Sequence, residues 1–202
     1  MNELSKEKRI ILASSSPYRK ELLSRLQLPF DIVVPNIDES PLPGESPQET
    51  ALRLAQQKAQ HIAKNAPNSI IIGSDQVATM DQMQIGKPGN HDNALKQLQM
   101  MRGRQVVFHS ALCVLNNTLM QPDMQMADIQ TVVTFRNLSD RELDAYLKIE
   151  QPYDCAGSAK NEGLGIAIIE RIDSSDPTAL TGLPLIALTG MLRNAGVAFF
   201  NY

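Results

Sequence analysis

Short apolar runs alternate along this chain with segments whose apolar residues recur every three or four positions. The runs at 9–14, about 30–35, 69–73, 105–115, 128–136 and 164–172 predict strands. Helical spacing predicts helices near 17–27, 47–65, 92–101, 139–149 and 184–194. Ser46-Pro47-Gln48-Glu49 and Ser139-Asp140-Arg141-Glu142 read as capping boxes, in which a hydroxyl and a carboxylate reciprocally satisfy the free N–H groups of a helix start. Gly103 and Gly196 stand where C-terminal stops are expected. Pro35 to Pro47, rich in proline and acid, reads as a long loop. The alternation predicts an α/β fold in a single domain over 1–202, with a second lobe at roughly 125–175.

Composition narrows the function classes. Hydrophobic residues make up 43% and charged residues 20%, values usual for a globular domain, and no apolar run approaches the ~20 residues that span a bilayer. A net charge of −3 gives no basic face for nucleic acid. Cys113 and Cys155 lie far apart without a Cys-x-x-Cys spacing, so neither zinc nor a disulfide framework is expected, and a reducing cytoplasm is the simplest location. His61, His91 and His109 share no spacing and show no carboxylate partner in the sequence. No Gly-x-Ser-x-Gly element marks a nucleophile.

The candidate chemistry sits where strands hand over to turns. Ser14-Ser15-Ser16-Pro17-Tyr18-Arg19-Lys20 follows the first strand; Ser16 reads as an N-cap and Pro17 as a first-turn residue. Free N–H groups, the positive end of the helix dipole and two cations make that turn a candidate anion site. Ile70-Ile71-Ile72 predicts a strand buried on both faces, with Gly73 allowing close approach and Asp75 emerging at its carboxyl end as a turn-former, metal ligand or base. Lys58 falls among Ala51, Leu54 and Ile62 on the helical wheel, either snorkelling from the core edge or directed into a cleft towards a phosphate or carboxylate. Gly86-Lys87-Pro88 fixes a lysine on a short turn. Asp38-Glu39 lies in the acidic loop, and Asp154 to Gly163 forms a polar, glycine-punctuated loop offering Lys160 and Glu162 as readers of a ligand.

Together these segments resemble the Maf family of nucleoside triphosphate pyrophosphatases over nearly the whole chain. The matching pieces are Leu12 to Arg19, Asp38-Glu39, Leu54 to Ala59, Gly73 to Val77, Gly86-Lys87-Pro88, Ala156-Gly157-Ser158 and Gly182 to Leu185. Ser110-Ala111 departs from the Thr-Gly of many members. The resemblance implies a Maf/ITPase-like fold, with a central mixed sheet and two lobes flanking a nucleotide-binding cleft. It implies a cytoplasmic, commonly dimeric hydrolase that uses a divalent metal (Mg or Mn) and splits a triphosphate between its α- and β-phosphates. By position, Asp75, Glu39, Lys58 and Lys87 match the family's catalytic residues, Asp75 and Glu39 also being candidate metal ligands, and Ser14 and Arg19 match its phosphate-binding turn. Tyr18, Gln76 and Glu162 occupy the three selecting positions, and their pattern resembles the branch acting on 7-methyl-GTP. N7-methylation makes guanine a cation, which an aromatic ring can stack upon and a carboxylate can bind through a charge-assisted hydrogen bond. The alternatives are a pyrophosphatase for UTP, dTTP or another modified nucleotide, and a nucleotide-binding regulator of cell division that does not hydrolyse.

Overall fold

Strand β3 (Ser69–Met80) is the axis of the protein, which we describe over residues 8–200 of a computed structural model. On one edge its first half pairs in parallel with β1 (Arg9–Ala13), Ile10 opposite Ile70 and Ala13 opposite Gly73. On the other edge it pairs antiparallel with β5 (Gln105–Asn116) from Ile70 to Thr79. Beyond Gly73 strand β1 has ended, and that edge stays open until β4 (Met83–Ile85) folds back onto Ala78–Met80. With β2 (Asp31–Ile32), β6 (Asp123–Phe135) and β7 (Ile169–Ser174) the described sheet has seven strands, ordered β2-β1-β3-β5-β6-β7 with β4 on β3.

Alternation along β3 decides what covers each face, because successive side chains of a strand point to opposite sides. Ile70 and Ile72 pack with Leu22 and Leu23 of α1 (Pro17–Ser24) and Leu188 and Leu192 of α5 (Leu185–Asn194). Ile71 faces α2 (Pro47–Ala63), where it joins Ala51, Ala55, Ala59 and Ile62. A third core lies at the distal ends of the long strands. There Ala78, Phe108, Val133 and Phe135 meet Leu98 and Met101 of α3 (His91–Met101) and Leu143 and Leu147 of α4 (Asp140–Glu150).

Both capping boxes form, Ser46 with Glu49 and Ser139 with Glu142, and Gly103 and Gly196 take positive φ (68° and 81°) just past α3 and α5. Three predicted elements are corrected and one strand is added. The strand expected at 30–35 pairs only over Asp31–Ile32, with Pro35, which has no N–H to donate, just beyond. β3 does not stop at Gly73 but runs on to Met80, because β5 continues to pair with its polar middle. β4 was not predicted at all: its hairpin turns on Asp81 and Gln82, both at positive φ (50° and 66°), without the glycine that usually signals such a turn. The run at 164–172 divides into a 3₁₀ turn, Leu164–Ile168, followed by β7. Gly165 packs there so closely on Lys160 that a Cβ would lie 2.4 Å from its carbonyl oxygen.

Candidate active site

The open stretch of the β3 edge, between the end of β1 and the start of β4, is the floor of the principal cavity. Asp75 and Gln76 lie there, in the middle of a strand and not at its carboxyl end as expected. The cavity holds about 460 Å³, within the range of small-ligand sites. Nine of the sequence-predicted site residues line it: Ser14, Tyr18, Arg19, Glu39, Lys58, Asp75, Gln76, Lys87 and Glu162.

Lys58 is 5% exposed, and its ammonium resolves the choice left open by its helical-wheel position. It donates to Asp75 Oδ1 at 2.6 Å and lies 2.7 Å from Glu39 Oε1, so one buried cation joins a strand carboxylate to a loop carboxylate. Gly73 makes this possible. A Cβ at that position would lie 2.2 Å from the Ala55 carbonyl oxygen and 2.9 Å from the Ala59 nitrogen. The close approach expected of Gly73 is therefore to the backbone of α2, one turn from Lys58, and not to a ligand.

Glu39 reaches the site because its loop is clamped to α2 by contacts that no short motif in the sequence announces. Arg53 Nε donates to Glu45 Oε1 (2.5 Å), and its Nη2 donates to the Ser40 carbonyl (3.0 Å). Glu45 also accepts from Leu42 N and Thr50 Oγ1. Arg53, the Leu42 amide and Thr50 hold the Glu45 carboxyl down to about 2.

The turn before α1 folds as expected. Ser16 Oγ accepts from Arg19 N, and Ser14 Oγ accepts from Ser16 N. Arg19 is oriented by its Nε, which donates to the Gly182 carbonyl at 2.9 Å, leaving the two terminal nitrogens for an anion. Burial lowers the Arg19 guanidinium against the opposing pull of Asp75 and Glu39. Lys87 sits on a turn pinned from α3, where Gln97 donates to the Gly86 carbonyl and Asn93 to the Pro88 carbonyl. It forms no ion pair among the described residues.

Three polar side chains of the sheet tie down the segment 179–182. Gln76 Nε2 is within 3.1 Å of Ser110 Oγ and the Ala179 and Leu180 carbonyls, which leaves its Oε1 for a ligand. Ser110 Oγ donates to Ala179 O and Ser74 Oγ to Gly182 O. The serine at the departing Ser110-Ala111 pair thus still supplies a hydroxyl. Asp176, 2% exposed, accepts from the N–H groups of Ile186 and Ala187 and so caps α5 from outside the helix.

Tyr18, in the first turn of α1, lies beside Cys155, with Asp154 and Glu162 close by. With its amide nitrogen turned towards Glu162, Asn161 donates to both carboxylate oxygens at 3.0 and 3.1 Å. Lys160 is not a reader: it pairs with Glu150 at 3.1 Å and is outside the cavity lining. Burial and nearby acids push the Cys155 thiol up to about 11, which makes it a neutral lining group and no nucleophile. Two histidines do have carboxylate partners, contrary to expectation. His91 meets Asp144 at 2.9 Å and His109 meets Asp128 at 2.8 Å, through contacts across elements that no local spacing reveals.

A pyrophosphate-bearing ligand is the chemistry this cavity suits, because its lining brings together a helix N-terminus, three cations, an aromatic ring and two acids near that ring. The family model described as Maf-like protein matches residues 9–195, and the chain belongs to the Maf family. The chain is 64% identical over 192 residues to the 7-methyl-GTP pyrophosphatase of Cupriavidus metallidurans, covering 95% of this chain and 96% of the relative. It is 64% identical over 191 residues to that of Ralstonia nicotianae (95% and 97% covered) and 62% identical over 188 residues to that of Methylobacillus flagellatus (93% and 97%). Among solved structures, the Staphylococcus aureus Ham1 protein shares the fold, with a TM-score of 0.52 at 13% identity over 93% of this chain and 99% of that one. The expected mixed-sheet architecture of the Maf/ITPase-like class is borne out.

Proposed function

We propose that this chain hydrolyses a nucleoside triphosphate between its α- and β-phosphates, with 7-methyl-GTP as the preferred substrate. The observation that carries the reaction is the convergence of Asp75 and Glu39 on Lys58 in the open sheet edge, beside the N-terminus of α1. The substrate follows from the relatives, each named 7-methyl-GTP pyrophosphatase, and from Tyr18 and Glu162 in the cavity lining.

In this reading a water oxygen attacks the α-phosphorus in line with the bridging oxygen to the β-phosphate. The new P–O bond forms as the bridging bond breaks, pyrophosphate leaves with the bridging oxygen, and the proton of the water passes to Asp75 or Glu39. Arg19, Lys58 and Lys87 neutralise charge on the triphosphate and its leaving group, and the free N–H groups at the start of α1 bind phosphate oxygens. Lys58 also holds the two carboxylates in place before substrate arrives.

The donor set fits a hard divalent cation. Two carboxylates meet within reach of a single ammonium, and no described cluster offers three or more protein ligands. That is the pattern of magnesium, which is held by one or two carboxylates together with substrate phosphates. Asp75 and Glu39 would hold the ion; when bound, it supplies charge neutralisation and a more acidic water. No described helix is long and apolar enough to cross a membrane. A cytoplasmic location, a homodimer and no nucleic-acid partner complete the proposal, supported by the family resemblance, two unpaired cysteines and the net charge of −3.

Hydrolysis in ¹⁸O-labelled water tests the reaction. Label is expected in the nucleoside monophosphate and not in pyrophosphate; label in pyrophosphate, or release of orthophosphate, contradicts attack at the α-phosphorus.

A further inference from the structure

We propose that Asp154 is a second specificity carboxylate, acting with Glu162 to select nucleotides whose base carries a positive charge; this rests on the pyrophosphatase reading above. The charged lining of the cavity falls into two groups. Arg19 and Lys58 act with Asp75 and Glu39, and Lys87 also lines the cavity. Around Tyr18 the charged lining residues are Asp154 and Glu162, both exposed to solvent and neither in an ion pair among the described residues. Lys160 also acts on Tyr18, but its ammonium is paired with Glu150 at 3.1 Å and lies outside the lining.

The two acids act on one small region. Cys155 Sγ donates to Asp154 Oδ1 at 3.6 Å, a weak contact that leaves most of the carboxylate's acceptor capacity unused. The Cys155 thiol is raised by burial first, then by Asp154, with Glu162 contributing as well, so both charges are felt beside the Tyr18 ring. Two carboxylates facing one pocket repel each other, and a cation between them relieves the repulsion. A neutral guanine uses Glu162 as a hydrogen-bond acceptor but gains little from a second negative charge. A 7-methylguanine cation gains from both. Such a nucleotide offers a cationic base to Asp154 and Glu162 and an anionic triphosphate tail to Arg19, Lys58 and Lys87.

Shape and charge can be separated by comparing 7-methyl-GTP with 7-methyl-7-deaza-GTP, which has the same outline and Watson–Crick edge but no positive charge. The measurement is kcat/KM for wild type, Asp154→Asn and Asp154→Glu on both nucleotides, on the acid side of neutrality so that N1 keeps its proton. Asp154→Asn is expected to lower the rate on the cationic substrate about three- to tenfold, as for loss of one partly solvated ion pair, and to change the neutral isostere less than about twofold. Asp154→Glu is expected to restore most of the preference. An equal loss on both substrates, or no loss on either, overturns the assignment of Asp154 while leaving the pyrophosphatase reading intact. If wild type cleaves neither nucleotide, that reading falls and takes this inference with it.

Discussion

Lys58 and Asp75 are two groups of opposite charge, each 10% exposed or less at the side chain, whose removal should have different consequences. Asp75→Asn keeps a hydrogen-bonding side chain of the same shape but loses the proton acceptor. Pyrophosphate release should fall on the order of 10²–10⁴-fold in a steady-state assay while nucleotide affinity stays within a few fold. Wild-type turnover in this variant would remove Asp75 from the mechanism. Lys58→Met should lower turnover on the order of 10²-fold and also lower the melting temperature, because two facing carboxylates lose their shared cation. Lys58 could be singled out in the sequence because a lysine among Ala51, Leu54 and Ile62 conflicts with the apolar face. Its choice of carboxylate over phosphate could not, since Glu39 lies in a loop whose path depends on Arg53. The His91 and His109 pairs were illegible for the same reason: their acids come from other elements.

At the scale of elements, the site depends on how closely α2 lies on β3 and how the loop before α2 is clamped. Gly73→Ala places a methyl group into the backbone of Ala55 and Ala59, so α2 must move and carry Lys58 away from Asp75. Overpacking of this kind costs about 1–3 kcal/mol, and both the melting temperature and turnover should fall; unchanged values would show that the contact is easily relieved. The clamp makes a prediction about acid. Glu45 titrates at about 2 when folded against about 4.3 unfolded, so its contribution is fully present above the unfolded value and disappears as pH falls through the folded one. Glu45→Gln should therefore melt below wild type at neutral pH, with the difference shrinking between about pH 4.5 and pH 2. A constant difference across that window would mean that Glu45 acts through packing alone. Strand and helix identities were largely legible from apolar spacing and caps. The continuation of β3 was hidden by Ser74-Asp75-Gln76, polar residues tolerated in mid-strand because one edge there opens on the cavity.

For the molecule as a whole, the interruption of one sheet edge brings together segments from residue 14 to residue 182 around a single cavity. Three long strands, β3, β5 and β6, run from the cores under α1, α2 and α5 to the distal core under α3 and α4, and the cavity is set between them. Short motifs announced nearly every charged residue of that cavity, whereas the way segment 179–182 orients Arg19 and Gln76 came to light only in three dimensions, because it acts through its backbone carbonyls. The central claim is that this cavity cleaves a triphosphate and prefers one with a cationic purine. Its most direct test is kcat/KM for 7-methyl-GTP, GTP, UTP and dTTP with magnesium or manganese, following pyrophosphate. We predict turnover of 7-methyl-GTP at least about tenfold above the other three, the effect of roughly 1.4 kcal/mol of added recognition by Tyr18 and the two acids. Equal rates on UTP and dTTP would contradict the selectivity, and tight binding without pyrophosphate release would contradict the enzyme.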